Sequence, residues 1–208
     1  PESEHEDLVK GLITEQAQVN KYLSALDQLS QVKLPQAEDG SNRLLLPPLL
    51  PTETKISVKS LIEPLIERAK ARANLQGRKW FSPSKWPTWM ESPSISEGVI
   101  AEIVANLLEN AFRYSPPQAS IGIEFVEESI CVWDEGIPIK EEEREKIFEK
   151  GFRGETGSKM SGSGIGLALA RDLARQLGGD LQLIVNPSIF KSSLPDSGNA
   201  FVFNLESK

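Results

Sequence analysis

The chain predicts an α/β fold, a two-layer α+β sandwich in which helices cover one face of a mixed sheet, preceded by a long N-terminal helix. Three observations lead there. Apolar residues alternate through Ala119–Phe125 and Ser129–Trp133, the two-residue period of strands with one covered face. Helical periodicity marks the stretches near 60–74, 93–114 and 165–177. Residues 6–34 carry Leu8, Leu12, Val19, Tyr22, Leu26 and Leu29 in alternating steps of four and three, a heptad seam interrupted by Glu15.

Taken in order, residues 6–34 read as one helix that needs a partner, either a second helix of a bundle or the surface of a neighbouring domain. Pro35 ends it, and residues 36–53, with Gly40, Pro47, Pro48 and Pro51, form a linker whose Leu44–Leu46 and Leu49–Leu50 pack on something. A domain over 54–208 then opens with a short strand near Ile56–Val58. A helix from about Ser60 to Asn74 follows, with Leu61, Leu65 and Ala69 on one side, and then a strand at Arg78–Phe81. Trp80, Trp86 and Trp89 make an aromatic cluster best explained as core packing under a loop. Ser92-Pro93 supplies an N-cap and first-turn proline for the next helix. The two alternating strands follow, joined by the acidic turn Glu127-Glu128. Then come a short charged helix near Lys140–Phe148, a longer one from Ile165 to Leu177 stopped by Gly178-Gly179, and strands at Leu181–Val185 and Ala200–Leu205.

With 208 residues, 39% of them hydrophobic, the chain can bury one good core and a small appendage. A net charge of −7 excludes a general nucleic-acid binder, whose affinity comes from clustered Lys and Arg. The single cysteine, Cys131, lies in an apolar stretch and reads as a buried reduced thiol. No apolar run approaches the ~20 residues that cross a bilayer, so the expectation is a soluble, cytoplasmic piece, with room for membrane spans in a longer parent.

The chemistry concentrates in four places. Asn106 and Asn110 stand one helical turn apart on one face, and each amide offers a neutral oxygen to a hard cation such as Mg²⁺ or, equally, a cap or bridge to a neighbouring helix. Asp134-Glu-Gly136 follows an apolar strand, so the carboxylate emerges at a sheet end, although a turn alone uses Asp-x-Gly as well. Glu149–Ser163 is punctuated by glycines and carries Lys150, Arg153 and Lys159. It fits a lid over phosphates, or for Lys150 and Lys159 a solvated basic loop. Gly162-Ser163-Gly164-Ile165-Gly166 opens a helical pattern, where backbone N–H groups can approach phosphates and the helix N-terminus favours their charge. Together the four read as a site for a magnesium nucleotide.

In this combination and order, the set resembles the N, G1, F and G2 boxes of the ATP-binding catalytic domain of sensor histidine kinases, in the wider family of gyrase-type ATPases, Hsp90 and MutL. The resemblance covers about residues 54–208 and, more weakly, 6–34, which look like the second helix of the dimerisation and histidine-phosphotransfer domain. It implies ATP and Mg²⁺ as ligands, Asn110 as magnesium ligand and Asn106 as a second polar contact. It implies that Asp134 accepts from the adenine amino group beside Gly136, that Arg113 and Arg153 reach the phosphates, and that Tyr114 packs along the nucleotide. It extends the nucleotide site to Ile139, Phe148, Lys150, Gly162, Ser163, Gly164, Ile165, Gly166 and Leu167. The partners implied are a response regulator receiver domain and a second copy of the parent, paired through the helical domain.

Two departures bear on mechanism. Pro138 stands where the family's G1 box has its second glycine, which removes an N–H and fixes φ. Asn106 stands where the ATPase relatives place a water-activating glutamate, so transfer to a protein side chain is the better expectation than hydrolysis. His5, the only histidine, is followed by Glu-Asp-Leu and no Arg-Thr-Pro, and one helix leaves no hairpin around it. It reads as solvated, and the chain as the catalytic fragment of a longer kinase. The alternatives are an ATP-hydrolysing relative and a non-catalytic nucleotide-sensing or dimerisation module.

Overall fold

The computed structural model describes residues 57–83, 85–92, 97–154 and 163–205. The heptad segment, the linker, His5, Pro93, Lys159 and Gly162 lie outside these residues. By its contacts the chain divides into two units, Thr52–Met160 with Gly164–Lys208, and Pro1–Pro51 with Ser161–Ser163. The fold below is that of the first.

Helix α1 (Val58–Leu75) begins where a strand was expected near Ile56–Val58. Ser57 makes only an isolated bridge, and its hydroxyl accepts from Ser60 N–H at 3.2 Å as an N-cap, drawing Val58 into the helix. The buried stripe is Val58, Ile62, Ile66, Ala69 and Ala73, so Leu61 and Leu65 lie at its margin and not at its centre. Strand β1 (Lys79–Phe81) follows, then helix α2 (Glu97–Tyr114), β2 (Ser120–Val126) and β3 (Ser129–Asp134).

The expected helix over Lys140–Phe148 is instead two 3₁₀ turns, Glu141–Glu143 and Lys146–Phe148. So short a segment gains too little from hydrogen bonds to offset helix nucleation, and its path is set by the anchoring of Ile147 and Phe148 on the core. Helix α3 (Gly166–Gln176), β4 (Asp180–Val185) and β5 (Asn199–Asn204) complete the unit.

The five strands form one mixed sheet in the order β1-β2-β3-β5-β4, parallel only between β1 and β2. Alternation decides its two faces. Ile121, Ile123, Ile130, Val132, Leu181, Phe201 and Phe203 point to the helices and join α1 and α2 in the main core. On the opposite face Cys131, Trp133, Ala200 and Val202 form a smaller cluster roofed by Phe190 and Leu194 from the connection between β4 and β5. Trp133 lies directly over Gly122, where a Cβ would stand 2.6 Å from the indole. Burial pushes the Cys131 thiol up, the behaviour of an inert core cysteine.

The tryptophan segment packs as expected. Trp80 stacks on Phe112 with ring centroids 6.4 Å apart, Trp86 meets Phe125 at 5.0 Å, and the Trp89 indole N–H donates to the Glu127 carbonyl at 3.1 Å.

Candidate nucleotide site

Helix α2 crosses the covered face of the sheet, and its apolar stripe of Ile100, Ile103, Val104, Leu107 and Ala111 fixes its rotation. That rotation turns Asn106 and Asn110 towards one side. The Asn106 amide nitrogen donates to the Glu102 carbonyl at 2.9 Å and to Glu102 Oε1 at 3.1 Å. Its oxygen faces the start of α3, where a Cβ on Gly166 would lie 3.3 Å away. The N-box helix and the glycine segment, sixty residues apart in sequence, therefore meet at this pair. One turn later the Asn110 amide nitrogen is buried without a hydrogen-bond partner.

Arg113 and Tyr114 end the helix half-buried. Arg113 is 3.5 Å from Glu109, which also holds Arg72 at 2.6 Å, so Glu109 faces away from the asparagine side. The main-chain oxygen of Tyr114 closes on Gly136, where a Cβ would sit 3.2 Å from it and would collide with Asp134 Oδ1. A side chain there would displace the buried Asp134 carboxylate.

Asp134 ends β3 with its side chain on the helix face and only 3% of its surface exposed. Oδ1 accepts from Gly136 N–H at 2.7 Å. Burial pushes the carboxyl up to about 6, against the pull of hydrogen bonds from Gly136, Asn199 and Ser115 and of the nearby Arg78 charge.

The loop after Asp134 is fastened by a residue that no sequence pattern singled out. Asn199, paired with Asp134 across β3 and β5, accepts from Ile139 N–H at 2.9 Å and donates to the Ile137 carbonyl at 3.0 Å. Pro138 lies between these two bonds, neither of which calls on an N–H at that position. The signal for Asn199 resides in cross-strand register, which spacing along the chain does not carry.

Phe148 is half-buried, with the Arg171 guanidinium 4.4 Å from its ring centroid. Arg171 also bonds Glu145 at 2.9 Å and Asp180 at 3.1 Å, tying the 3₁₀ turns to α3 and β4. Beyond Phe148, Lys150 is largely exposed and 4.0 Å from Asp172, whereas Arg153 is half-buried. Gly151 N–H donates to the Gly164 carbonyl at 3.1 Å, which brings the two ends of the lid stretch together. Gly164 has φ +68°, and a Cβ there would stand 2.7 Å from the Phe152 carbonyl, so the conformation and the close approach both demand glycine.

Ile165, at the N-cap of α3, makes no side-chain cap hydrogen bond, while Leu167 packs partly on the core and Ser163 is exposed. Among the described residues no group of three or more His, Cys, Asp or Glu is placed to hold a metal. From these residues a cation would find neutral amide oxygens, and the unpartnered Asn110 amide nitrogen and the α3 N-terminus suit the oxygens of an anionic ligand.

The description "Histidine kinase-, DNA gyrase B-, and HSP90-like ATPase" matches residues 96–208, more than half of the chain. The chain belongs to this ATPase family. It is 40% identical over 128 residues to the sensor histidine kinase Hik2 of Thermosynechococcus vestitus, a match covering 58% of the chain and 32% of that protein. The adaptive-response sensory kinase SasA of Rippkaea orientalis is 34% identical over 116 residues, covering 52% of the chain and 27% of that kinase. The chain thus spans about a third or less of these relatives. The solved mycobacterial sensor histidine kinase MprB shares the fold, with a TM-score of 0.54, 22% identity, 74% of this chain and 99% of that one covered. The fold is that of a histidine kinase ATP-binding domain, and no helix among the described residues is long and apolar enough to cross a membrane.

Proposed function

We propose that this chain is the catalytic ATP-binding part of a two-component sensor histidine kinase. It binds Mg-ATP and passes the γ-phosphate to a histidine on a helix of the parent protein, for relay to an aspartate of a response regulator. Residues 1–35 supply the last helix of the dimerisation and phosphotransfer domain, 36–53 the linker and 54–208 the catalytic domain, working in the cytoplasm. The observation that carries this reading is the apposition of the Asn106 amide oxygen and Gly166. It brings the amide face of α2 against the N-terminus of α3, and the nucleotide is assigned to the volume beside this contact.

In that volume Asp134 accepts from the adenine amino group, with Gly136 clearing the approach of the base. Ile139, Tyr114, Phe148, Ile165 and Leu167 wall the nucleotide, and Arg113, Lys150 and Arg153 answer the phosphate charge, with Gly162, Ser163 and Gly164 offering backbone N–H groups. Asn110 would hold the magnesium ion, whose chemistry there would be to offset charge on the phosphate oxygens. Glu102, one helical turn before Asn106, is engaged with it, and Glu109 is engaged with Arg72 and Arg113, which supports transfer to a protein side chain over hydrolysis.

The test is phosphoryl transfer from γ-labelled ATP. The chain alone should label little and hydrolyse little, and the parent's helical hairpin added in trans should acquire acid-labile phosphohistidine. Brisk phosphate release with no phosphoprotein would move the protein to the ATPase branch, and label on His5 would overturn the assignment of the acceptor to another helix.

A further inference from the structure

We propose that Glu102 is a positioning residue that makes Asn106 an obligate acceptor towards the metal side of the nucleotide. The inference rests on the magnesium-nucleotide reading above. An asparagine amide can present either its oxygen or its nitrogen to a ligand, and in most settings rotation exchanges them. Here two pure acceptors, the Glu102 main-chain carbonyl at 2.9 Å and the Glu102 carboxylate at 3.1 Å, stand on one side of the Asn106 amide. Rotation would set oxygen against both. The nitrogen therefore stays on the Glu102 side and the oxygen stays on the Gly166 side, where a Cβ would be 3.3 Å from it.

The consequence is a division of labour along α2. Asn106, with both N–H groups occupied, offers nothing to phosphate oxygens and meets a cation or a cation-bound water. Asn110, whose oxygen is the proposed magnesium ligand, has a buried amide nitrogen with no partner and so also retains a donor for a ligand oxygen. Glu102 acts on the ligand through Asn106.

The experiment compares the unmutated protein with Glu102→Ala and Glu102→Gln. Calorimetry gives the affinity for ATP with and without Mg²⁺, and the ratio is the readout. Glu102→Ala leaves the main-chain carbonyl as the sole acceptor, and losing one such bond should lower the magnesium enhancement about fivefold, with metal-free affinity unchanged. Glu102→Gln keeps an acceptor oxygen and should restore the enhancement to within about twofold. In the ligand-free protein, exchange of the Asn106 side-chain amide protons, followed by NMR, should accelerate in Glu102→Ala and not in Glu102→Gln. A ratio unchanged in Glu102→Ala, equal loss with and without magnesium, or a Gln variant as impaired as the Ala variant would each overturn the proposal. Absence of any magnesium enhancement in the unmutated protein would instead overturn the nucleotide reading, and the exchange measurement would still report whether Glu102 holds Asn106.

Discussion

Asp134→Asn should move fold stability and nucleotide binding in opposite directions with pH. The folded-state carboxyl is raised from 3.8 to about 6, chiefly by burial. At about 1.4 kcal/mol for each tenfold change in proton affinity, that rise corresponds to roughly 3 kcal/mol favouring the neutral form. The sign follows from linkage. Between 3.8 and about 6 the folded protein binds the proton more tightly than the unfolded chain, so the contribution of Asp134 to stability is greatest below 3.8 and is lost as pH rises to about 6. An asparagine has the same shape, still accepts from Gly136 N–H, and carries no charge at any pH. In urea melts of the ligand-free protein, the stability of Asp134→Asn relative to the unmutated chain should therefore rise by up to about 3 kcal/mol between pH 4 and pH 8. Calorimetry should show the reverse for ligand. ATP affinity of the unmutated protein should weaken as pH falls through about 6, because the adenine amino group is best met by the ionised carboxylate, and the variant should bind weakly with no such dependence. A stability difference independent of pH would refute the burial argument, and equal binding of ATP and GTP by the unmutated protein would refute the adenine role.

Two further substitutions test the frame of the site. Gly164→Ala must abandon φ +68° or push against the Phe152 carbonyl, and the strain of about 1–3 kcal/mol should appear as weakened nucleotide binding with a nearly unchanged melting temperature. A variant that binds ATP normally would show that the junction at Gly151 and Gly164 is not part of the site. Asn199→Ala removes both bonds that hold residues 137–139. Hydrogen exchange of the Ile139 amide should rise at least tenfold and ATP affinity should fall, and an unaltered exchange rate would mean that Pro138 alone fixes the loop.

The parts legible in the sequence were those whose signal is local. The alternation of Ile121, Ile123, Ile130 and Val132 against Cys131 and Trp133 predicts both faces of β2 and β3, because a strand's period is set by neighbouring residues. The α2 pattern is equally plain. Where tertiary contacts decide, the sequence was silent. The charged run at 140–148 reads as helix until the anchoring of Phe148 under Arg171 is known, whereas Ser57, which reads as strand beside Ile56 and Val58, is a local exception whose hydroxyl caps α1 three residues on. At the site, the asparagines and glycines announce themselves by spacing. Asn199 does not, since it reaches the loop after Asp134 only through the register of β3 and β5.

That register gives Asp134 a second use. The sheet inserts β5 between β3 and β4, so the carboxyl acquires its buried setting only once the β4–β5 hairpin has docked and Asn199 has closed on Ile139, 60 positions earlier in the chain. In the unfolded chain the same group has the ordinary aspartate value of 3.8. Asp134 is in this sense a native proton gauge for the closing of the sheet. Its titration distinguishes a chain that has merely formed local helices and hairpins from one that has paid the loop-closure entropy of its longest-range pairing.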